Sequence, residues 1–167
     1  MKGGSTMESS VAVEKCLYDS YEKKFLKDVD EMKMHKLMYF LQREALMENG
    51  SVLFNESFHG WKFGPVLKSV RSAYKKAKSE GTKPFHDSNG WEVGLNTKAM
   101  VDRVVREYGN LSSWKLSTLS HDELSWRLAR HGLKTGQNGD VEMDVRAMKC
   151  DAAREKARRN EELHRAV

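Results

Sequence analysis

Apolar residues recur every three or four positions along most of the chain, which is the pattern of amphipathic α-helices. This spacing predicts six or seven helices, over residues 9–29, 31–48, 66–79, 96–108, 112–118, 120–130 and 141–162. The segment 31–48 has the strongest pattern, since its apolar side chains share one face and Arg43, Glu44 and Glu48 lie away from it. The chain is therefore predicted to have a mainly α fold.

The helical spacing is interrupted after the second predicted helix. Aromatic and β-branched residues between glycines predict a small β-hairpin or extended segment over residues 52–64, and a short strand is predicted over 91–94. Gly64-Pro65 is then expected to restart the helix, because proline is favoured in a first helical turn, where its missing N–H costs no hydrogen bond.

Side chains that can cap helices mark three predicted helix starts. Ser112 precedes the fifth predicted helix, and Asp140 precedes the last one. Ser120 and Glu123 have the spacing of a capping box, in which the serine accepts from a backbone N–H of the first turn and the glutamate reaches back. This pattern explains the sequence around His121 without catalysis.

These elements predict a single compact helical domain with a C-terminal extension. The domain covers residues 9–132, a glycine-rich linker covers 133–140, and a highly charged helix covers 141–167. Residues 1–8 are interpreted as a flexible N-terminus or a cloning remnant, with Met7 as a candidate native start. With 167 residues, 39% of them hydrophobic and 32% charged, the chain can form a core without disulfides or a structural metal.

The sequence contains few groups suited to catalysis or metal binding. The six histidines are scattered, and no Cys-x-x-Cys pair or glycine-rich phosphate loop occurs, so we expect no metal, cofactor or small-molecule substrate. No serine or cysteine lies in a nucleophile-elbow context, so we do not expect an enzyme. Cys16 and Cys150 are interpreted as reduced thiols, and no apolar run reaches the roughly 18 residues of a membrane span. A cytoplasmic protein without membrane contact is expected.

Positive charge is concentrated in one segment. The net charge of the chain is +5, yet residues 62–83 contain seven basic residues and one acidic residue. Helical spacing places the apolar residues of 66–79 on one side and four basic residues on the other. These four candidate partner-binding residues are Lys68, Arg71, Lys75 and Lys78. They form either an ordinary solvated face or a docking surface for an acidic protein or for phosphates.

Large aromatic residues form a second candidate surface. Trp61 and Phe63 are of the type that anchors protein interfaces, but such residues beside a hairpin are more often buried, and we predict both to be core residues. Trp114 and Trp126 lie at helical spacing and are predicted to be core residues as well.

Three motifs follow one another along the chain. The first is a Lys-Leu-x-Tyr-Phe-x-Gln helix, the second is Leu-Phe and an acidic residue before Trp-Lys-aromatic-Gly-Pro-Val, and the third is Leu-Ser-His-x-Glu with a following Trp. This ordered set resembles the Panacea domain, a family of SocA-like antitoxins often described as phage-associated proteins. The resemblance covers about residues 27–132, and a weaker match follows at Asp151-Ala152 and Arg158. The signature residues, interpreted as structural, are Lys36, Leu37, Tyr39, Phe40, Gln42, Trp61, Gly64, Pro65, Ser120, His121, Glu123 and Trp126.

The resemblance implies an antitoxin of a toxin–antitoxin system. Members of that family are encoded beside small toxins that arrest growth, often by blocking translation, and they neutralise these toxins through direct binding. A cognate, translation-targeting protein toxin is therefore the expected partner. Two alternatives stay open: a DNA-binding regulator of its own operon, with operator DNA as the partner, and an adaptor that delivers the toxin to a protease.

Overall fold

The structure is a computed structural model that describes residues 7–88 and 90–166. These residues form seven α-helices and one two-stranded antiparallel sheet, which confirms the mainly α prediction. In chain order the elements are α1 (Ser10–Phe25), α2 (Glu31–Asn49), β1 (His59–Trp61), β2 (Gly64–Val66), α3 (Lys68–Glu80), α4 (Leu95–Tyr108), α5 (Ser113–His121), α6 (Leu124–Ala129) and α7 (Val145–Arg165). No described helix is long and apolar enough to span a membrane. Of residues 1–8, which were predicted to be flexible, residues 1–6 fall outside the described residues, and the Glu8 N–H donates to the Leu53 carbonyl at 2.8 Å.

Helix α2 is the centre of the fold and packs against α4, α5, α7 and β2. Asp30 caps its start, and Gly50 ends it in the left-handed region at φ 69°. Arg43 and Glu44, which were predicted to lie away from the apolar face, are buried. They lie on the polar face as predicted, but α7 covers that face, and Arg159 forms an ion pair there with Glu44. A charged helix face can be buried when a second charged helix supplies its partners.

The predicted hairpin is present, but it lies at the end of the segment 52–64 and beyond it. Strands β1 and β2 pair with Trp61 opposite Gly64, and Lys62-Phe63 form the turn between them. The prediction that Gly64-Pro65 restarts the helix was wrong, because both residues belong to β2 and α3 begins at Lys68. Gly64 has φ +119°, which lies outside the right-handed helical region and which residues with a side chain rarely adopt.

The predicted capping box at Ser120 is also absent. Helix α5 continues through this serine, whose hydroxyl donates to the Ser117 carbonyl oxygen at 2.7 Å. Glu123 occupies the N-cap position of α6 without a side-chain cap bond. The carboxylate of Asp151, on α7, accepts instead from the first two backbone N–H groups of α6, at 2.7 and 3.0 Å. The cap therefore comes from a residue distant in sequence.

The last helix starts later than predicted. Asp144 caps α7 at Val145, whereas Asp140 was expected to cap a helix from residue 141. Val141 and Val145 are 57% and 41% exposed. The chain over 141–143 is extended and runs beside β1, with the Gly60 N–H donating to the Val141 carbonyl at 2.9 Å. This extended pairing explains why the helix cannot begin at 141.

The remaining elements follow their sequence patterns with shifted ends. Helix α4 buries its predicted apolar residues, and Ser112 caps α5 as expected. Helix α1 ends at Phe25 instead of continuing to residue 29, since Leu26 adopts the left-handed conformation at φ 55°. Residues 91–94 contain no strand, and Trp91 is 52% exposed.

Candidate partner-binding surface

Several signature residues fasten the hairpin and the segment before it to the helices. The side-chain amide of Gln42, on α2, donates to the Phe54 carbonyl at 2.9 Å and accepts from the Leu53 N–H at 2.7 Å. The indole N–H of Trp126, on α6, donates to the Trp61 carbonyl at 2.8 Å. These bonds hold the backbone of Leu53, Phe54 and Trp61 against α2 and α6, and they fix the position of β1.

Four more signature residues form one packed contact beneath β2. Lys36, on α2, is buried, and its Nζ donates to the Pro65 carbonyl oxygen at 3.2 Å. A Cβ at Gly64 would lie 2.5 Å from Lys36 Cε and 2.6 Å from Ser120 Oγ, so this approach of α2, β2 and α5 requires glycine. Burial lowers the pKa of Lys36 to about 7, because desolvation disfavours the charged ammonium group.

A buried polar network joins α2, α6 and α7. The Tyr39 hydroxyl donates to Glu123 Oε2 at 2.6 Å, and Arg43 Nη1 donates to Glu123 Oε1 at 2.9 Å. Asp151 Oδ2 lies 3.3 Å from the same hydroxyl. Burial raises the pKa of Glu123, although the Arg43 guanidinium opposes this shift. Asp151 was not predicted to be a site residue. Its only signal in the sequence was the weaker match of Asp151-Ala152 to the family pattern.

The remaining signature residues lie in or against the core; they are Leu37, Phe40 and His121. Leu37 is fully buried, and Phe40 stacks on Tyr108 with ring centroids 4.7 Å apart. His121 stacks on Trp126 with ring centroids 4.0 Å apart, and burial together with nearby cations lowers its pKa. In the described part of the chain, no group of three His, Cys, Asp or Glu side chains could hold a metal ion.

An open pocket of about 780 Å³ lies where the hairpin meets the first turn of α2. Its apolar walls are Met32, Trp61, Phe63 and Val66, and we call it the aromatic pocket. The prediction that Phe63 and Trp114 are core residues was wrong: they are 42% and 64% exposed, and their rings lie 5.9 Å apart. Phe63 occupies the two-residue turn of the hairpin, which directs its ring outward beside the pocket.

Charged residues border the aromatic pocket. Asp140 accepts from the Trp61 indole N–H at 2.8 Å and from Lys68 Nζ at 3.0 Å, and these two donors lower its pKa. On the other side, Glu31 accepts from Arg71 Nη1 at 2.7 Å. Both carboxylates line the pocket, so each connects it to a cation on α3.

The four candidate residues Lys68, Arg71, Lys75 and Lys78 share one face of α3, and we call them the basic row. Lys68 and Arg71 are paired with the carboxylates of the pocket rim. Lys75 and Lys78 are exposed, and no carboxylate of residues 7–88 or 90–166 lies within 4.0 Å of either ammonium group. Among the described residues of this surface, unbalanced positive charge therefore lies in the far half of the row and at Lys62 in the hairpin turn.

Together, a helical scaffold, an open aromatic pocket and an adjoining basic face define a mainly α protein with one continuous candidate binding surface. The family model described as "Antitoxin SocA-like, Panacea domain" matches residues 34–127, more than half of the chain, and the chain belongs to this family. All of the signature residues and the whole basic row lie within the matched range. No curated protein and no solved structure matches the chain. Family membership supports an antitoxin-like, non-enzymatic role.

Proposed function

We propose that this protein is an antitoxin that neutralises a cognate, growth-arresting protein toxin by direct binding. The proposed interface combines the aromatic pocket with the basic row. The observation that carries this proposal is that the two features are contiguous, because Lys68 and Arg71 pair with Asp140 and Glu31 on the pocket rim. Exposed aromatic side chains in a concave site are the residues that most often dominate protein interfaces.

The two parts of the interface have different physical roles. Apolar side chains of the toxin would displace water from Met32, Trp61 and Phe63, which supplies affinity. The exposed lysines would steer an acidic region of the toxin toward the pocket, which raises the association rate and orients the toxin. Covering the active or substrate-binding surface of a translation-targeting toxin is sufficient to stop it. The buried signature residues hold the pocket in shape, and Trp61, a signature residue on its wall, would contact the partner.

The proposal is tested by co-expression with the product of the neighbouring gene in cells whose growth that product arrests. Lys75→Glu with Lys78→Glu is the charge-reversing variant, since neither lysine has a described carboxylate partner whose contact would be lost. Lys149→Glu with Lys156→Glu on α7 makes the same change in net charge at exposed positions elsewhere. We expect the first pair to abolish rescue and the second pair to retain it, at equal protein levels.

A second variant tests the pocket independently. Phe63→Ser removes an exposed ring without leaving a cavity in the core, so it should reduce rescue while the unfolding temperature is maintained. If both Phe63→Ser and the double lysine variant rescue as well as the wild type, this surface is not the interface. Rescue in cells that lack the ATP-dependent cytoplasmic proteases separates direct neutralisation from an adaptor function, which requires proteolysis.

A further inference from the structure

The proposed interface has a definite length. The basic row begins at Lys68, beside the pocket rim, and ends at Lys78 on the same face of α3. At the rise of an α-helix, these residues are separated by about 15 Å along the helix axis. A partner that contacts both the pocket and the end of the row therefore needs about three turns of helix, or about five residues of extended chain.

Charge is distributed unevenly along this length. Near the pocket, Asp140 and Glu31 balance Lys68 and Arg71, which leaves Lys62 at the hairpin turn as the lysine there without a described carboxylate partner. Farther along α3, Lys75 and Lys78 have no such carboxylates among the described residues, and the neighbouring Lys76 is already paired with Asp87 at 2.5 Å. The complementary ligand is consequently apolar at one end and negatively charged at the other.

We propose that this surface binds a single acidic amphipathic segment of the toxin, with a large apolar side chain in the aromatic pocket and carboxylates along Lys75 and Lys78. The identity of the partner as a toxin rests on the proposed function. The chemistry of the bound segment follows from the surface itself.

The same surface is poorly suited to a nucleic acid backbone. Phosphates approaching the basic row would also approach Glu31 and Asp140, which lie within one Debye length of it at physiological salt. The backbone of duplex DNA offers no apolar side chain for the pocket formed by Met32, Trp61 and Phe63. An acidic protein segment satisfies both halves of the site, whereas DNA satisfies only the lysines.

The chemistry can be tested without knowing the toxin. The probe is a displayed library of random peptides of about 15 residues, long enough for three to four helical turns. We expect selection on the wild-type protein to enrich peptides that combine a net negative charge with at least one large apolar residue. Synthetic copies should bind Phe63→Ser and Lys75→Glu/Lys78→Glu at least about tenfold more weakly, a loss of about 1.4 kcal/mol. The Lys149→Glu/Lys156→Glu protein should bind them like the wild type.

Three results would overturn the inference: no enrichment, enrichment without an acidic bias, or binding that is indifferent to both surface variants. A mobility shift of upstream DNA that disappears in Lys75→Glu/Lys78→Glu would assign the row to phosphates instead. Failure of this inference can be distinguished from failure of the proposed function. Acidic peptides that bind as expected, with no rescue from the toxin, would leave the surface chemistry intact and refute the antitoxin role. Rescue that depends on this surface, without an acidic bias in the peptides, would refute only the inference.

Discussion

Replacement of Glu14 by glutamine is expected to stabilise the protein near neutral pH. Glu14, on α1, is fully buried, and its carboxyl group and that of Glu56 both lie within hydrogen-bond distance of the Ser69 hydroxyl. One hydroxyl hydrogen cannot serve two carboxylates, so a second proton has to reside on one of them. Burial raises the pKa of Glu14 to about 8, with a further contribution from the charge of Glu56, which places that proton on Glu14.

The size and sign of the effect follow from proton linkage. The pKa of Glu14 rises from 4.5 to about 8 on folding, so the folded state binds more protons than the unfolded state between these two values. Stability should therefore fall as the pH rises from 4.5 to about 8 and should stay level above that range. One pKa unit is worth about 1.4 kcal/mol, so the destabilisation at pH 7 is on the order of 3 kcal/mol. A glutamine side chain stays neutral and can still donate to Ser69, so Glu14→Gln should recover most of this free energy.

The measurement is urea denaturation of the wild type and Glu14→Gln at several pH values between about 5 and 8. The difference between their free energies of unfolding should increase steadily over this range, toward a few kcal/mol. Glu92→Gln, a change of the same kind at an exposed loop position, should behave like the wild type. If Glu14→Gln shows the wild-type pH dependence, Glu14 is ionised in the folded protein and the shared-proton argument fails. A pH-independent loss of stability would mean that packing at this site, not protonation, controls the outcome.

Three further changes test the scaffold by equilibrium unfolding. Gly64→Ala should cost at least about 3 kcal/mol of unfolding free energy, because the new Cβ would collide with neighbouring side chains. Gly50→Ala is the control: its Cβ would have no atom within 4 Å, so it should cost only about 1 kcal/mol, which is the strain of a positive φ. Lys36→Met should be most stabilising at pH 7 and progressively less so toward pH 10. The pKa of Lys36 is about 7 in the folded state and 10.5 in the unfolded state, so the free energy of unfolding of the wild type rises over that range. A difference between variant and wild type that stays constant with pH would contradict this. Asp151→Ala should cost more than the ordinary cap deletion Ser112→Ala, about 3 against about 1 kcal/mol, because it leaves two backbone donors of α6 without an acceptor at a buried site. Equal losses would mean that the burial of Asp151 adds nothing to an ordinary cap.

Helices with a regular apolar period were predictable from the sequence, and elements that depend on distant residues were not. The period of α4 specifies its buried face, and Ser112 caps α5 through local bonds. Gly64-Pro65 is ambiguous locally, since proline fits both a first helical turn and an edge strand. The strand is selected by the close approach of Lys36 and Ser120, which only the tertiary structure brings together.

The candidate surface was predictable only in part for the same reason. Spacing along α3 was sufficient to place the basic row on one face, but the partners of Lys68 and Arg71 lie 72 and 40 residues away in sequence. A count of charges in the segment 62–83 therefore overstates the free positive charge at this surface. The exposure of Phe63 could not be predicted either, because it depends on the turn lying at Lys62-Phe63 and not earlier.

Folding and the proposed partner binding draw on different residues in this protein. Lys36, Gly64 and Glu123 are buried in contacts between helices and the hairpin, and substitutions there would alter the shape of the pocket or the stability of the chain. Phe63 and Lys75 are exposed and contribute little to the core, so substitutions there should change the partner at a small cost in stability. On the proposed interface, a change of partner therefore requires changes at the pocket rim and along the basic row, while the scaffold that positions them can remain constant.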